Sequence, residues 1–280
     1  MTVNYTITAL EIGVVDAFPA DFAFDGFLYP GEFFRSSFKM TLIRGGGHTI
    51  LVDTGYDLSD AVKRGMLAAS FGRNGLSPAE ALGAAGVSPE EVDTIILSHL
   101  HWDHAGAMDC YPNARFYLQK KEYEQWKRLT AEPGSRALYE GILDPADLVR
   151  VEGLLRAGRM ELLEGEVDDL LPGIHIRVSE FAHSFALQIP LVETGGKRYV
   201  IATDAYIRPE NLLGSAEMPC FLPAKKFGIG SPVHMVKTYA DMLSWCEGDM
   251  TRIISAHDGT AKDRLPSREI APELYAIFLA

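Results

Sequence analysis

Ile95-Ile96-Leu97-Ser98-His99-Leu100-His101-Trp102-Asp103-His104-Ala105-Gly106 decides how this chain is read. Its apolar, β-branched opening has the length and composition of a buried strand. Three imidazoles and one carboxylate follow within six positions, 99 to 104. Imidazole nitrogen and carboxylate oxygen are the donors that Zn²⁺ and related divalent ions take. Side chains two apart on an extended segment share a side, so His99 and His101 can grip one ion. Asp103 and His104 follow as the chain turns and can grip a second. Packed together without a cation, four such groups are costly to desolvate.

The flanking sequence supplies a scaffold for that stretch. Upstream, Ser77-Pro78-Ala79-Glu80 and Ser88-Pro89-Glu90-Glu91 are capping boxes with Pro at the first helical position. The second leads into Thr94–Leu97, which delivers His99 at a strand end, where layered α/β architectures carry their active groups. Tyr5–Val15 alternates as a strand. Leu42-Ile43 and Thr49–Val52 flank Gly45-Gly46-Gly47, a hairpin signal, and Asp53-Thr54-Gly55 closes the second strand. Downstream, Ala114–Leu118 reads as a strand and Lys121–Leu129 as an exposed helix. Residues 134–166 read as a charged, partly helical surface insertion. Ile174–Val178, Leu187–Val192, Tyr199–Ala202 and Ile253-Ile254 are further strands, and His234–Gly248 a helix. The pattern predicts an α/β (α+β) fold of two mixed β-sheets face to face, flanked by helices. No linker, repeat or charge block divides it, so one domain over 1–280 is expected.

Three more ligand-type residues each end a strand-like run: His183, Asp204 and His257. Five of the eight histidines thus fall at strand ends, where they can converge. His48, in a Gly-rich turn, and His175, inside a strand, read as structural. His234, at a helix start near Phe227, is a candidate substrate contact. Phe18, Phe22, Phe24, Phe27, Phe33, Phe34 and Phe38 place half of the 14 phenylalanines in 21 residues. Such density means either core or a hydrophobic wall beside the metals.

Composition excludes several classes. Against 26 Lys and Arg stand 38 Asp and Glu, a net charge of −12, with no basic block to attract nucleic acid or an anionic membrane. No apolar stretch approaches the roughly 20 residues that span a bilayer. Cys110, Cys220 and Cys246 make no disulfide framework. With no secretory leader pattern at the N-terminus, a cytoplasmic, reduced setting is expected.

Ser98-His-Leu-His-Trp-Asp-His-Ala-Gly106, preceded by Asp53-Thr-Gly and followed in order by His183, Asp204 and His257, resembles the metallo-β-lactamase superfamily. The resemblance implies an αββα sandwich and two metal ions, in first place zinc. His99, His101 and His183 would hold one ion and Asp103, His104 and His257 the other, with Asp204 bridging. Asp53 would orient a ligand histidine from behind. His101 stands where the di-iron flavoprotein branch has Glu. Asp204 stands where true β-lactamases have no Asp. The basic module common in the nuclease branches is missing, whereas glyoxalase II-type thioesterases share the whole ligand set.

The local match is nearest to acyl-homoserine-lactone lactonases and related small lactonases. It is carried by the motif itself, by Thr203-Asp-Ala205 with Glu210-Asn211-Leu212, and by Ala256-His-Asp-Gly259. Two departures stand out. Those lactonases follow the third histidine with Thr-Pro-Gly-His-Gln, where this chain has Ser184-Phe-Ala-Leu-Gln188. They carry a Tyr three residues past the bridging Asp, where this chain has Ile207, with Tyr206 one residue earlier. The expectation is a hydrolase that opens a small hydrophobic or aromatic lactone through a hydroxide shared by two ions. Asp103 and Asp204 would take part in catalysis, with Tyr206 the candidate for orienting the substrate; the displaced phenol is either lost, rescued by Tyr206 or replaced by another group. Phe27, Phe33, Met66, Phe71, Phe227 and His234 are the candidate pocket residues. A thioesterase, an amidase or another ring-opening hydrolase would use the same site, and a metal-dependent binding protein without turnover is a third reading. A homodimer is expected through the resemblance alone.

Overall fold

The structure is a computed structural model that describes residues 3–24, 29–59, 73–224 and 229–280. Its strands in chain order are β1 (Thr6–Pro19), β2 (Phe33–Gly45), β3 (His48–Val52), β4 (Arg73–Gly75), β5 (Thr94–Ile96), β6 (Arg115–Gln119) and β7 (Met160–Leu163). Then come β8 (Val167–Leu171), β9 (Ile174–Glu180), β10 (Ala186–Thr194), β11 (Lys197–Thr203), β12 (Ile253–Ser255), β13 (Ser267–Ala271) and β14 (Leu274–Phe278). Among the described residues one sheet runs β13-β14-β1-β2-β3-β5-β6-β7, with β4 also on β1, and the other runs β12-β11-β10-β9-β8. Both are mixed: β3, β5, β6 and β7 are parallel neighbours, as are β11 and β12.

Period-2 alternation with both faces apolar builds this sandwich. Ile7, Ala9, Ile43, Ile50, Val52 and Ile96 meet Ile174, Ile176, Val192, Ile201 and Ile254 between the sheets. Their neighbours Leu10, Met40, Leu42, Leu51, Ile95 and Leu97 face outward, packed with Leu82, Tyr123, Trp126, Leu148 and Val151 from helices 78–84, 120–131 and 145–156. On the outer face of the second sheet Ile189, Leu191, Val200 and Ala202 pack with Met235, Tyr239 and Met242 of helix 232–245. Each fully buried Ile or Leu contributes roughly 1.5–3 kcal/mol relative to exposure. The β2–β3 hairpin turns at Gly46 (φ 62°) and Gly47 (φ 85°), two left-handed residues in a two-residue loop, as a type I′ turn requires.

Two segments differ from the reading of the sequence. The Ser88 capping box starts only a short 3₁₀ turn, Pro89–Glu91. Residues 134–166 do not form a surface insertion as a whole. They include helix 145–156, with Val151 fully buried, and β7, which pairs in parallel with β6. The apolar C-terminus is β14, an antiparallel neighbour of β1. No described helix is long and apolar enough to cross a membrane.

This topology gathers chemistry at one edge. His99 follows β5, His183 joins β9 to β10, Asp204 follows β11, and His257 follows β12. Gln188 of β10 ties the two sheets there, its backbone N–H donating to Ser98 O at 2.8 Å and its side-chain amide to Leu97 O at 2.7 Å.

Candidate metal centre

Asp53 and Thr54 hold the His-rich loop from beneath. Asp53 has a left-handed backbone (φ 65°), which Asp tolerates better than most residues. From it, Oδ1 accepts the Ser98 N–H at 2.7 Å, while Oδ2 accepts the Ser98 hydroxyl at 2.8 Å and lies 2.7 Å from His104 Nδ1. Thr54 donates its N–H (2.7 Å) and its hydroxyl (2.8 Å) to His104 O. The one-turn helix Trp102–Ala105 begins at His101, which serves as its N-cap. Gly106 is required behind it, since a Cβ there would stand 2.3 Å from Trp102 O. At the far side, Thr203 takes φ 47°, unusual for a β-branched residue, and so aims Asp204 out of β11.

Two groups of ligand-type atoms result, each within 4.8 Å: His99, His101, His183 and Asp204, and Asp103, His104, Asp204 and His257. Asp204 belongs to both. Its Oδ2 lies 3.2 Å from His183 Nε2 and 3.1 Å from His257 Nε2, and its Oδ1 lies 3.0 Å from His104 Nε2. Asp103 Oδ2 stands 3.3 Å from His257 Nε2 and 3.4 Å from His104 Nε2. The rings are oriented from behind: His99 Nδ1 is 2.9 Å from Ser98 Oγ, and His257 Nδ1 is 2.9 Å from Ser37 O. With His104 Nδ1 on Asp53, three histidines turn Nε2 inward, as ligand histidines with outer hydrogen-bond partners do.

The interior of the cluster is short of partners. Buried His99 Nε2, His104 Nε2 and Asp204 Oδ1 have no hydrogen bond, the 3.0 Å approach of the last two lacking suitable angles. Buried polar atoms left so are costly and uncommon. Divalent cations satisfy all of them, and the donor set is nitrogen and oxygen only. The residues fit a divalent metal.

Charges sort in the same way. Burial, together with the charges of His104, His101 and His183, holds the His99 imidazole well below its ordinary 6.5, and burial with His183 does so for His101. Burial also opposes protonation of His104 and His257. For His104 the carboxylates of Asp204, Asp103 and Asp53 outweigh it and raise the imidazole well above 6.5. For His257, Asp204 and Asp103 raise it to about 10. Burial opposes ionisation of Asp103 and Asp204, yet the neighbouring histidines keep both carboxyls below the usual range. His99 and His101 are thus ready as neutral imidazoles, whereas His104 and His257 hold protons that a metal must displace.

The seven residues expected as ligands come together, and Asp53 stands behind His104. Tyr206 does not join them. Its ring is fully buried in the cluster with Leu212, Tyr239 and Met242. The cleft beside the ligands is lined instead by the next residue, Ile207, because one step along the chain turns the side chain elsewhere. Phe18, Phe38, Trp102, Gly141, Ile142, His101, Asp103, Asp204 and His257 complete that lining, around about 450 Å³ partly open to solvent. Of the expected pocket residues, Phe33 is 63 % exposed and outside the lining. His234 is exposed, 3.3 Å from Phe181 O. Phe27, Met66, Phe71 and Phe227 lie outside the described residues. The wall does come from the aromatic run, through Phe18 and Phe38, and Phe38 stands edge-on to His257 (5.2 Å). His48 lies 3.0 Å from Asp93 and belongs to neither ligand group.

Facing sheets with a buried His and Asp cluster at one edge define the class, a hydrolase built to bind divalent metal. The chain belongs to the metallo-β-lactamase superfamily, whose family model matches residues 39–240. An N-acyl homoserine lactonase of Bacillus cereus is 28% identical over 193 residues, covering 66% of this chain and 70% of the relative. The N-acyl homoserine lactonase AttM of Azorhizobium caulinodans is 46% identical over 41 residues, 15% of this chain and 16% of the relative. Among solved structures, a B. thuringiensis AiiA mutant with N-decanoyl-L-homoserine at its active site superposes with TM-score 0.67 at 20% identity. That match covers 98% of this chain and 100% of the other. AidC, a dizinc quorum-quenching lactonase, gives TM-score 0.63 at 16% identity over 99% and 95% of the two chains. At such identities the superpositions speak for the fold.

Proposed function

We propose that this chain is a dizinc hydrolase that opens small hydrophobic lactones. The observation that carries the reading is Asp204, which belongs to two adjacent ligand groups and lines an apolar cleft. In this assignment His99, His101 and His183 would hold one ion and Asp103, His104 and His257 the other, with Asp204 shared between them. Bound there, two divalent ions supply Lewis acidity toward an acyl oxygen and bring the pKa of bound water toward neutrality.

The protein's own groups do the rest. Phe18, Phe38, Trp102, Ile142 and Ile207 take up the apolar part of the substrate and exclude bulk water, which strengthens each electrostatic contact inside. Asp103 and Asp204 stay ionised at neutral pH. Asp204, lining the cleft, is the carboxylate placed to take the proton released by the attacking water and to pass it to the oxygen that leaves as the ring opens. Ile207 puts a hydrocarbon branch on the cleft where the acyl-homoserine-lactone enzymes place a phenol. This favours lactones without an amide side chain, although the relatives are named for N-acyl homoserine lactones.

A substrate panel tests this reading. It runs from aliphatic γ- and δ-lactones through aromatic lactones to acyl-homoserine lactones, with thioester controls, in pH-indicator assays with and without chelator. Chelator-sensitive opening of apolar lactones is expected, faster than that of acyl-homoserine lactones. Ile207→Tyr should then raise kcat/KM on acyl-homoserine lactones by about tenfold, the worth of one net hydrogen bond. Turnover confined to thioesters would contradict the assignment.

A further inference from the structure

Outside the ligand cluster, one buried carboxylate has its oxygens committed to two ligand-bearing loops. Glu122 sits in the first turn of helix 120–131 and is fully buried. Its Oε1 accepts the Leu100 N–H at 3.2 Å and the Trp126 indole N–H at 2.7 Å. Its Oε2 accepts the Ala186 N–H at 2.8 Å. Leu100 lies between His99 and His101, and Ala186 begins β10 three residues after His183. The Trp126 ring stands edge-on to His101 (5.8 Å) and to Phe185 (5.0 Å).

We propose that Glu122 is the positioning residue of the three-histidine half of the centre, a carboxylate staple joining the His99–His101 loop to the His183 loop. The proposal rests on the dinuclear assignment above. A buried carboxylate is expensive unless its oxygens are satisfied, and here three N–H donors satisfy it. Glutamine, of nearly the same volume, must turn an NH₂ toward at least one of those donors. One loop then loses its acceptor and meets a donor instead. The other half of the centre is held independently, His104 by Asp53 and His257 by Ser37 O, so the effect should fall on one ion only.

Titration of the metal-free full chain with Co²⁺ tests this, followed by visible absorption and by competition with a chromophoric chelator. Wild type should take two equivalents. Glu122→Gln should bind one of them about tenfold or more weaker, in line with outer partners of metal ligands, and leave the other within about threefold. Trp126→Phe keeps a ring against His101 but removes one donor, and should shift the same equivalent by a smaller factor. A purely structural role would lower Tm without changing the ratio of the two affinities or the Co²⁺ spectrum. An unchanged ratio and spectrum in Glu122→Gln overturns the proposal. If that variant does not fold, an unchanged ratio in Trp126→Phe overturns it and a selective loss supports it. Wild type that binds no metal overturns the dinuclear reading, and this proposal with it.

Discussion

Asp53 serves two ligand-bearing segments from one side chain, with Ser98 on both oxygens and His104 on Oδ2. Asparagine at 53 keeps the size but puts an NH₂ against donors. Asp53→Asn should therefore weaken the ion held by His104 by roughly 10–100-fold, as measured by metal competition. Equal affinity would show that the ring orientation does not depend on this carboxylate. At this scale legibility in the sequence followed chain distance. His99, His101, Asp103 and His104 declare themselves by spacing. Glu122 does not, because its partners Leu100 and Ala186 lie 22 and 64 residues away. Nor does Lys39, whose ammonium reaches the carbonyls of Ser255, Ala256 and Asp258 around His257 from more than 200 residues upstream. Tyr206 and Ile207 show the opposite limit. Adjacent residues face different ways, and composition does not say which one meets the cleft.

The elements that carry the site are short and depend on close backbone contact. The one-turn helix Trp102–Ala105 is gripped by Thr54 and backed by Gly106, where a Cβ would collide with the Trp102 carbonyl. Gly106→Ala should cost about 1–3 kcal/mol, the range for forced overpacking, visible as a lower Tm in the metal-free protein. An unchanged Tm would mean that this turn relaxes freely. Elements with apolar residues on both faces, such as β3 and β5, were readable from sequence alone. The edge strand β8 was not: its Val-Asp-Asp-Leu-Leu carries charge on a sheet margin, as edges commonly do, and so reads as loop. β7 was hidden because Met160-Glu-Leu-Leu is brief and follows a charged helix, so its parallel pairing with β6 had no local signal.

Across the molecule, the proton inventory of the centre links metal binding to pH. His104 and His257 are protonated in the metal-free protein, both held above their ordinary range by Asp204 and Asp103 against the opposing effect of burial. For His257 the folded value of about 10 exceeds the unfolded 6.5. Its contribution to stability without metal is therefore complete below about pH 6.5 and is lost as pH rises through about 10. Metal must displace these protons, so apparent affinity should climb with pH over that window. Calorimetry in buffers of different ionisation enthalpy should detect proton release on binding at pH 7, and none would contradict this charge arrangement. The plan of two facing mixed sheets flanked by helices was legible because alternation and strand-end ligands agree with each other. The cleft wall was less so, because Trp102, Ile142 and Ile207 come from separate segments that only the fold brings beside Phe18 and Phe38.

The most direct test of the dinuclear assignment is metal content per chain after loading with Zn²⁺ and removal of excess, for wild type, His183→Ala and His257→Ala. The assignment predicts about two ions in wild type and about one in each variant, because each histidine belongs to a different half. One ion or none in wild type, or loss of both ions from a single substitution, would contradict two adjacent half-sites joined through Asp204.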